Sequence, residues 1–286
     1  MTLREPCLPP GWYPRDKEKI SEFLDSFNSA ESRSAAAMAP HAGWYYSGDT
    51  AAMAVSSLKR DAETVAVIGG HLPGGMPVLM AAEEGVKTPF GPMMIDRDLR
   101  EEFSKRIETR PDRYQDNTVE VLLPMVHYFF PGSELLWLRF PAHISSFEAG
   151  KILAETGREL GRRIVVLAST DLTHYGRNYG FNPRGSGRAA LDWVKKVNDA
   201  AFISAVLEGD PSKALACAEE DSSACSAGAV LGALGFTAGQ KTSPVLLDYR
   251  TSADVSRETD ADSDIQDDEI PDSFVGYAAV TFVPSA

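Results

Sequence analysis

Hydrophobic residues along this chain follow two recurring patterns. Short runs such as Val65–Ile68 and Ile164–Leu167 are apolar at every position, which is typical of strands buried on both faces. Between these runs, apolar residues recur at helical spacing over longer stretches. The alternation of the two patterns predicts an α/β protein.

The predicted elements cover most of the chain. Helices are expected over residues 17–28, 48–59, 97–109, 146–160 and much of 189–235, and strands over 35–39, 64–68, 78–81, 135–140, 164–168, 245–249 and 274–283. Ser47 is expected to cap the second helix through its hydroxyl, and Gly161 to end the fourth. We predict a three-layer fold, in which helices cover both faces of a mostly parallel or mixed central sheet.

The chain is predicted to form one domain over residues 1–286, since no repeat and no Pro-, Gly- or Ser-rich linker divides it. Hydrophobic residues make up 43 % of the sequence, enough to bury a core without disulfides, and three irregularly spaced cysteines do not form a disulfide framework. The N-terminus lacks the apolar stretch of a secretory signal, and no apolar run approaches the ~20 residues of a membrane span. A cytoplasmic protein without membrane contact is expected.

Charge narrows the range of partners. The formal net charge of −13 argues against a nucleic-acid partner, because phosphate binding requires a basic surface. Acidic residues crowd the segment 260–269, but a calcium-binding EF-hand loop would need Gly in place of Ile265 and Glu in place of Pro271. We therefore interpret this segment as a solvated loop between two strands.

Four of the five histidines follow a predicted strand: His41, His71, His143, and His174 together with Asp171. In open α/β sheets the carboxyl ends of the strands form the crevice where ligands bind, so these loops can meet there. Histidine and aspartate gathered in a crevice indicate a metal or acid–base site. Each histidine taken alone is better explained as a hydrogen-bonded loop residue. Agreement among several glycine-flanked loops favours the cluster.

Cys225 precedes a predicted helix of small residues. A thiol near a helix N-terminus has a lowered pKa, which favours nucleophilic or metal-ligand chemistry, although a buried structural cysteine is as good an explanation. His127 lies in apolar surroundings and is interpreted as a core or interface histidine. The sequence contains no GxSxG, P-loop, GxGxxG, CxxC or HExxH motif, so serine-hydrolase, nucleotide and common zinc-site chemistry have no support.

Seven short segments carry a family resemblance when they are taken in order. They are GWYP at 11–14, PHAGWYYSG at 40–48, TPFG at 88–91, NTVEVLLP at 117–124, STDLTHYG at 169–176, YRTSADV at 249–255 and VGYAA at 275–279. Together they resemble the Memo family, called AmmeMemoRadiSam system protein B in prokaryotes. Three positions depart from the family pattern, because Asn117 replaces a histidine and Ser226 and Ala253 replace glycines.

The resemblance implies the fold of class III extradiol ring-cleavage dioxygenases, whose non-haem iron(II) is held by two histidines and a carboxylate. By the same resemblance, His41, His71 and Cys225 are expected to bind one metal ion. Iron(II) is favoured, with copper or zinc as alternatives for a ligand set that contains a thiolate. Asp171 and His174 are expected to serve proton transfer or to hydrogen-bond around the site.

Three hypotheses of function follow. The leading one is a metal-binding protein of Memo type that acts as a non-haem iron or copper redox enzyme, of the dioxygenase kind, on a small substrate. The first alternative is a non-catalytic protein that uses the same pocket to bind a peptide or metabolite, and the second is a zinc-dependent hydrolase. The family name further implies an AMMECR-type protein and a radical-SAM protein as partners.

Overall fold

The computed structural model describes residues 1–28, 33–255 and 270–285. Its strands are β1 (Leu3–Arg4), β2 (Ala36–Ala39), β3 (Thr64–Leu72), β4 (Val78–Met80), β5 (Gly85–Thr88), β6 (Gly91–Met94), β7 (Thr109–Pro111), β8 (Glu134–Pro141), β9 (Ile164–Ser169), β10 (His174–Gly176), β11 (Thr242–Thr251) and β12 (Ser273–Pro284). The acidic segment 260–269, interpreted above as a solvated loop, lies outside the described residues.

The helices alternate with these strands. They are α1 (Lys17–Asp25), α2 (Trp44–Ser56), α3 (Arg97–Ser104), α4 (Asn117–Glu120), α5 (Leu123–Phe129), α6 (Ser145–Glu159), α7 (Arg188–Trp193), α8 (Asp199–Glu208), α9 (Pro211–Asp221), α10 (Ala227–Thr237) and α11 (Ser252–Val255). A five-residue π-helical turn, Val194–Asn198, joins α7 to α8. None of the helices in the described part of the chain is long and apolar enough to span a bilayer.

The central sheet is mixed, as the sequence predicts. Its core is four parallel strands in the order β2-β9-β3-β8, and these strands contain the apolar runs identified in the sequence. Antiparallel strands flank them, β12 beside β2 and β4 beside β8. Strands β10 and β11 pair with β12, and β7 pairs with β4. A separate sheet of three short strands, β1-β5-β6, packs at the periphery.

Alternate side chains of the parallel strands enter two different cores. Val65 and Val67 of β3 pack with α1, α2 and α5 on one face. Ala66 and Ile68 pack with α3, α6, α8 and α10 on the other. Both faces of the sheet are therefore covered by helices, which confirms the predicted three layers and explains why the central positions of these strands are mostly apolar.

Helix α10 is buried along its whole length and consists largely of glycine and alanine. A Cβ built at Gly235 would lie 1.9 Å from the carbonyl oxygen of Phe147, and one at Gly150 of α6 would lie 2.0 Å from that of Gly232. The small residues thus let the backbones of α6 and α10 touch. Cys225 lies immediately before α10, so the same packing fixes the position of its thiol.

Two predicted helix boundaries have different outcomes. Helix α2 begins at Trp44, four residues earlier than predicted, with Gly43 at the cap position. The prediction that Ser47 is the N-cap is therefore wrong: Ser47 lies in the first turn, and its hydroxyl donates to the carbonyl of Ala42 at 3.2 Å. Gly161 follows α6 with a left-handed φ of 64°, which confirms its predicted role at the helix end.

Candidate metal centre

Three loops at the carboxyl end of the parallel sheet converge on one point. His41 follows β2, His71 occupies the end of β3, and Cys225 leads into α10. One ligand atom from each of the three lies within 4.8 Å of the others. The Sγ of Cys225 is 3.2 Å from Nε2 of His41, and the two imidazole rings stand nearly perpendicular, with centroids 5.0 Å apart.

The backbone around His71 is shaped by close packing. A Cβ at Gly69 would lie 2.1 Å from Oγ1 of Thr118, and one at Gly70 would lie 2.4 Å from Cβ of Ser226. His71 itself has a left-handed φ of 57°, a conformation that costs free energy for any residue with a Cβ. The two glycines bring the strand end against the Cys225 turn, and the strained residue directs its imidazole toward the thiol.

His41 is buried, with 1 % of its surface exposed. Its backbone N–H donates to Oδ1 of Asp171 at 2.7 Å, and its carbonyl accepts a 3.0 Å hydrogen bond from the amide of Asn117. On the ring, Nδ1 is hydrogen-bonded to Oγ of Ser169 at 2.9 Å. Since Nδ1 is occupied, Nε2 is the nitrogen left to face Cys225.

His71 is held by charge instead. Its Nδ1 lies 3.0 Å from Oδ2 of Asp116, and the same carboxylate oxygen accepts a 3.1 Å hydrogen bond from the buried Arg139. Arg139 also donates to the carbonyl of Gly70 at 2.9 Å. A carboxylate on the outer nitrogen of a histidine is a common support for metal ligation, because it orients the ring and raises its basicity.

The charges of the cluster are complementary. Burial raises the pKa of the Cys225 thiol, but the neighbouring imidazoles of His41, His174 and His71 outweigh burial and bring it well below 9.0. Burial lowers the pKa of His71, but Asp116 and Cys225 raise it more, to about 10. Without a metal ion the site is therefore a thiolate among protonated imidazoles, and a bound ion would replace those protons.

Asp171 and His174 lie beside the three-residue cluster. Oδ2 of Asp171 is 3.8 Å from Nε2 of His41 and 3.8 Å from Nε2 of His174. Nε2 of His174 is buried and has no hydrogen-bond partner among the described residues. Burial lowers the pKa of His174, but Asp171 and Cys225 raise it to about 10. His174 also lines the space in front of the cluster.

That space is a cavity of about 740 Å³. Its described walls carry many aromatic side chains and include no lysine or arginine. The residues that line it are Pro10, Gly11, Trp12, His41, Ala42, Gly43, Tyr45, Tyr46, His71, Asn117, Asp171, His174, Asn178, Tyr179, Ser252, Pro271, Ser273, Val275 and Tyr277. A pocket of this size takes a small molecule or one side chain of a peptide.

The other two histidines lie outside the cavity. His143 is exposed and its Nδ1 hydrogen-bonds to Oγ of Ser145 at 2.9 Å. Its strand, β8, lies on the far side of β3 from β9, so the loop that follows it does not reach the cluster. His127 is half-buried with Nδ1 2.6 Å from Oγ1 of Thr88, and burial lowers its pKa. It is the satisfied interior histidine that the sequence predicts.

Two residues of the site escaped sequence reasoning. Asp116 precedes α4 and reads as an ordinary N-cap, a role it also fills by accepting from the N–H of Thr118 at 2.9 Å. Ser169 is the last residue of β9 and the first of the segment 169–176, in which the sequence predicts a role only for Asp171 and His174. Its position two residues before Asp171 was the available signal, since a hydroxyl at a strand end beside a ligand loop can reach a ligand ring.

The residues fit a transition-metal ion. Two imidazole nitrogens and a thiolate are ligands that iron(II), copper and zinc all accept. Both imidazoles are oriented by a partner on Nδ1, and the three ligand atoms are close enough to share one ion. Two of the three ligand residues, His41 and His71, line the cavity, so a substrate there can approach the ion.

Comparison with known proteins places this site in a family. A family model described as "Memo-like protein" matches residues 4–266. The MEMO1 family protein of Thermococcus kodakarensis is 28 % identical over 302 residues, which cover 98 % of this chain and 99 % of that protein. The MEMO1 family protein of Pyrococcus abyssi is 29 % identical and covers 97 % of this chain and 98 % of its own.

Among solved structures, an uncharacterized protein of Escherichia coli, JW3007, aligns over 85 % of this chain and 99 % of its own. The sequence identity is 15 % and the TM-score is 0.43.

Proposed function

This chain belongs to the Memo family, and from that premise we propose that it binds one transition-metal ion, iron(II) in the first place, through His41, His71 and Cys225. The bound ion serves redox chemistry on a small molecule in the adjoining cavity. The observation that carries the proposal is the approach of three ligand atoms to within 4.8 Å of one another, with a thiolate held among imidazoles.

The ion and the residues beside it would have separate roles in this chemistry. Iron(II) held by these ligands would supply electron transfer and Lewis acidity at the edge of the cavity. His174 lines the same space, and its ring, with Nε2 buried, holds the proton. Asp171 lies 3.8 Å from that nitrogen and stabilises its protonated form. The aromatic walls bind a flat ligand and exclude water from it.

The test is the metal content of the full chain, purified anaerobically without a metal-affinity tag and measured by mass spectrometry. We expect near-stoichiometric iron in the wild type and none in a His41→Ala/His71→Ala double variant. The matched control is His127→Ala/His143→Ala, which removes two histidines outside the cavity and should retain the metal. The absence of metal from the wild type, with no uptake of added iron, copper or zinc, would refute the proposal.

Oxygen consumption then tests the redox step. The iron-loaded wild type should consume dioxygen in the presence of a small aromatic substrate, and His174→Gln should keep the metal but lose turnover. Stoichiometric zinc with metal-dependent ester or amide hydrolysis would instead support the hydrolase hypothesis.

One observation favours a second candidate function. Tyr45 and Tyr46 at the cavity mouth are 70 % and 45 % exposed, and exposed tyrosines are enriched at binding surfaces. A protein that binds a peptide or metabolite in this cavity without turnover would need such an open aromatic rim. Tight ligand binding that survives metal removal and is lost in a Tyr45→Ala/Tyr46→Ala variant would support this candidate over the enzyme.

A further inference from the structure

One wall of the cavity is a short N-terminal segment, residues 7–13, which we call the strap. Pro10, Gly11 and Trp12 of the strap line the cavity. Against the strap lies Glu120, the last residue of α4, with only 4 % of its surface exposed. The strap and α4 overlap two of the segments that carry the family resemblance, GWYP and NTVEVLLP, yet neither Glu120 nor the strap belongs to the metal centre.

Four hydrogen bonds converge on the carboxylate of Glu120, and all four come from the strap. Oε2 accepts the backbone N–H of Cys7 at 2.7 Å and the Cys7 thiol at 2.9 Å. Oε1 accepts the backbone N–H of Leu8 at 3.1 Å and the hydroxyl of Tyr13 at 3.0 Å. Burial and the neighbouring Glu120 raise the pKa of the Cys7 thiol to about 11, so the thiol keeps the proton that it donates. One buried side chain therefore binds both ends of the strap.

The geometry of these donors suits a carboxylate better than any neutral side chain. Each of its two oxygens accepts one backbone N–H, from Cys7 and from Leu8, and a backbone N–H can only donate. A glutamine at position 120 would place its NH₂ group against one of these N–H groups in either orientation of the amide. Hydrogen bonds to a carboxylate are also roughly twice as strong as those to a neutral acceptor.

Between its ends the strap is held at Trp12, whose carbonyl accepts the backbone N–H of Trp44 at 2.8 Å. Beyond the strap, the guanidinium of Arg15 lies 4.2 Å from the centroid of the Tyr13 ring and packs that ring in place. Residues 9–11, in contrast, are exposed. The position of this cavity wall therefore depends on hydrogen bonds at a few points and not on burial of the wall itself.

We propose that Glu120 determines which ligands enter the cavity, because it holds the strap in place as a wall. While the strap is held, a ligand must fit a space of about 740 Å³. Once the strap is released, larger molecules reach the imidazoles behind it. Glu120 is a positioning residue for specificity, since it acts through the strap and does not line the cavity. The inference deepens the proposed function and rests on it only in taking this cavity as the ligand site.

The test measures how strongly the size of a reagent limits its access to Cys225. The Sγ of Cys225 lies 3.2 Å from Nε2 of His41, which lines the cavity. Alkylation by iodoacetamide and by the bulkier fluorescein-5-maleimide is measured on the metal-free full chain, and peptide mass spectrometry follows each cysteine separately. Both reagents attack the thiolate, so the ratio of their rates does not depend on the pKa of the thiol. Cys217 of α9, which does not line the cavity, is the internal standard.

Glu120→Gln should raise the maleimide-to-iodoacetamide rate ratio at Cys225, relative to Cys217, roughly tenfold, the effect of losing one hydrogen bond to a charged group. Glu18→Gln, the same change at an exposed glutamate of α1, should leave the ratio unchanged. Tyr13→Phe removes one of the four donors and should raise the ratio by a smaller factor.

Hydrogen exchange separates release of the strap from general loss of stability. The Trp44 amide, which donates to the strap and does not touch Glu120, should exchange faster in Glu120→Gln, whereas the amides of β3 and β9 should keep their protection. An unchanged rate ratio in Glu120→Gln, or in Tyr13→Phe if the first variant does not fold, would overturn the inference. These assays contain no metal, so their outcome is independent of the metal content that tests the proposed function.

Discussion

The two histidines of the metal centre are supported in opposite ways. His41 is buried on an ordinary strand end, and its ring is oriented by the neutral hydroxyl of Ser169. His71 is partly exposed on a left-handed backbone, and its ring is oriented by Asp116, which is itself paired with Arg139. One ligand is thus held by burial and the other by an ion pair and close packing. An ion pair changes the basicity of an imidazole ring, whereas a neutral hydroxyl hardly does. The basicity of His71 is therefore set by its neighbours, and that of His41 much less so.

The packing under His71 gives the largest expected effect. Gly70→Ala places a methyl group 2.4 Å from Cβ of Ser226, and relieving this overlap should cost about 2 kcal/mol of unfolding free energy. It should also move His71 away from Cys225 and weaken metal binding. Gly75, nearby in the same loop, has open space around it, so Gly75→Ala should change stability by less than about 1 kcal/mol. Urea unfolding of both variants measures the two free energies of unfolding. Equal values for the two variants would contradict the prediction.

The ion pair behind His71 is the next target. Asp116→Asn keeps a hydrogen-bonding group but removes the charge, and we expect metal affinity to fall roughly 10- to 100-fold. Competition with a metal chelator of known affinity measures the change. Asp98→Asn, at an exposed aspartate of α3, is the matched control and should bind like wild type. An unaltered affinity in Asp116→Asn would show that the two histidines are not differently supported.

The pH dependence of metal binding sharpens the same comparison. The raised pKa of His71, about 10, means that below this pH the metal must displace a proton from the ring. Apparent affinity should therefore rise with pH, by about tenfold per unit for each proton released, and level off as pH passes the pKa. Asp116→Asn lowers that pKa, so its affinity curve should level off at lower pH. If the affinity curves of wild type and Asp116→Asn level off at the same pH, Asp116 does not raise the pKa of His71.

The smallest effect is expected on the His41 side. Ser169→Ala removes one neutral hydrogen bond to His41, worth about 1 kcal/mol, and should weaken metal binding roughly fivefold. The slope of affinity against pH should stay that of wild type, because no charge is removed. Chelator competition at two pH values gives both quantities. If Ser169→Ala lost as much metal affinity as Asp116→Asn, the two histidines would not be differently supported.

Sequence alone predicts the scaffold of this site better than its details. The apolar runs identify β2, β3, β8 and β9, because strands buried on both faces carry few polar positions. The histidines at their ends are then expected at one edge of the sheet. His143 shows the limit of that argument. It follows a parallel strand as His41 and His71 do, yet strand order along the sheet, which periodicity does not encode, keeps it out of the cavity.

The residues that orient the two histidine rings could not be predicted from the sequence, for a different reason. Asp116 and Ser169 act through single contacts with a ring from a distant part of the chain, and a cap residue or strand-end serine looks the same without such a contact. Ser47 is not the cap because α2 begins at Trp44, with Gly43 at the cap position. The short strands β7 and β10 have three residues each, too few for periodicity to reveal.

Helix α10 also determines how the protein would respond to the loss of a metal ion bound at the proposed site. The helix touches α6 and the sheet backbone to backbone, so the Cys225 turn cannot relax when the ion leaves. Ligands held in place before the ion arrives need no coupled folding, unlike those of a zinc finger. Metal stripping should therefore leave the circular-dichroism spectrum intact, and occupancy should add stability only by mass action. Such a chain can exchange its metal repeatedly without passing through an unfolded intermediate.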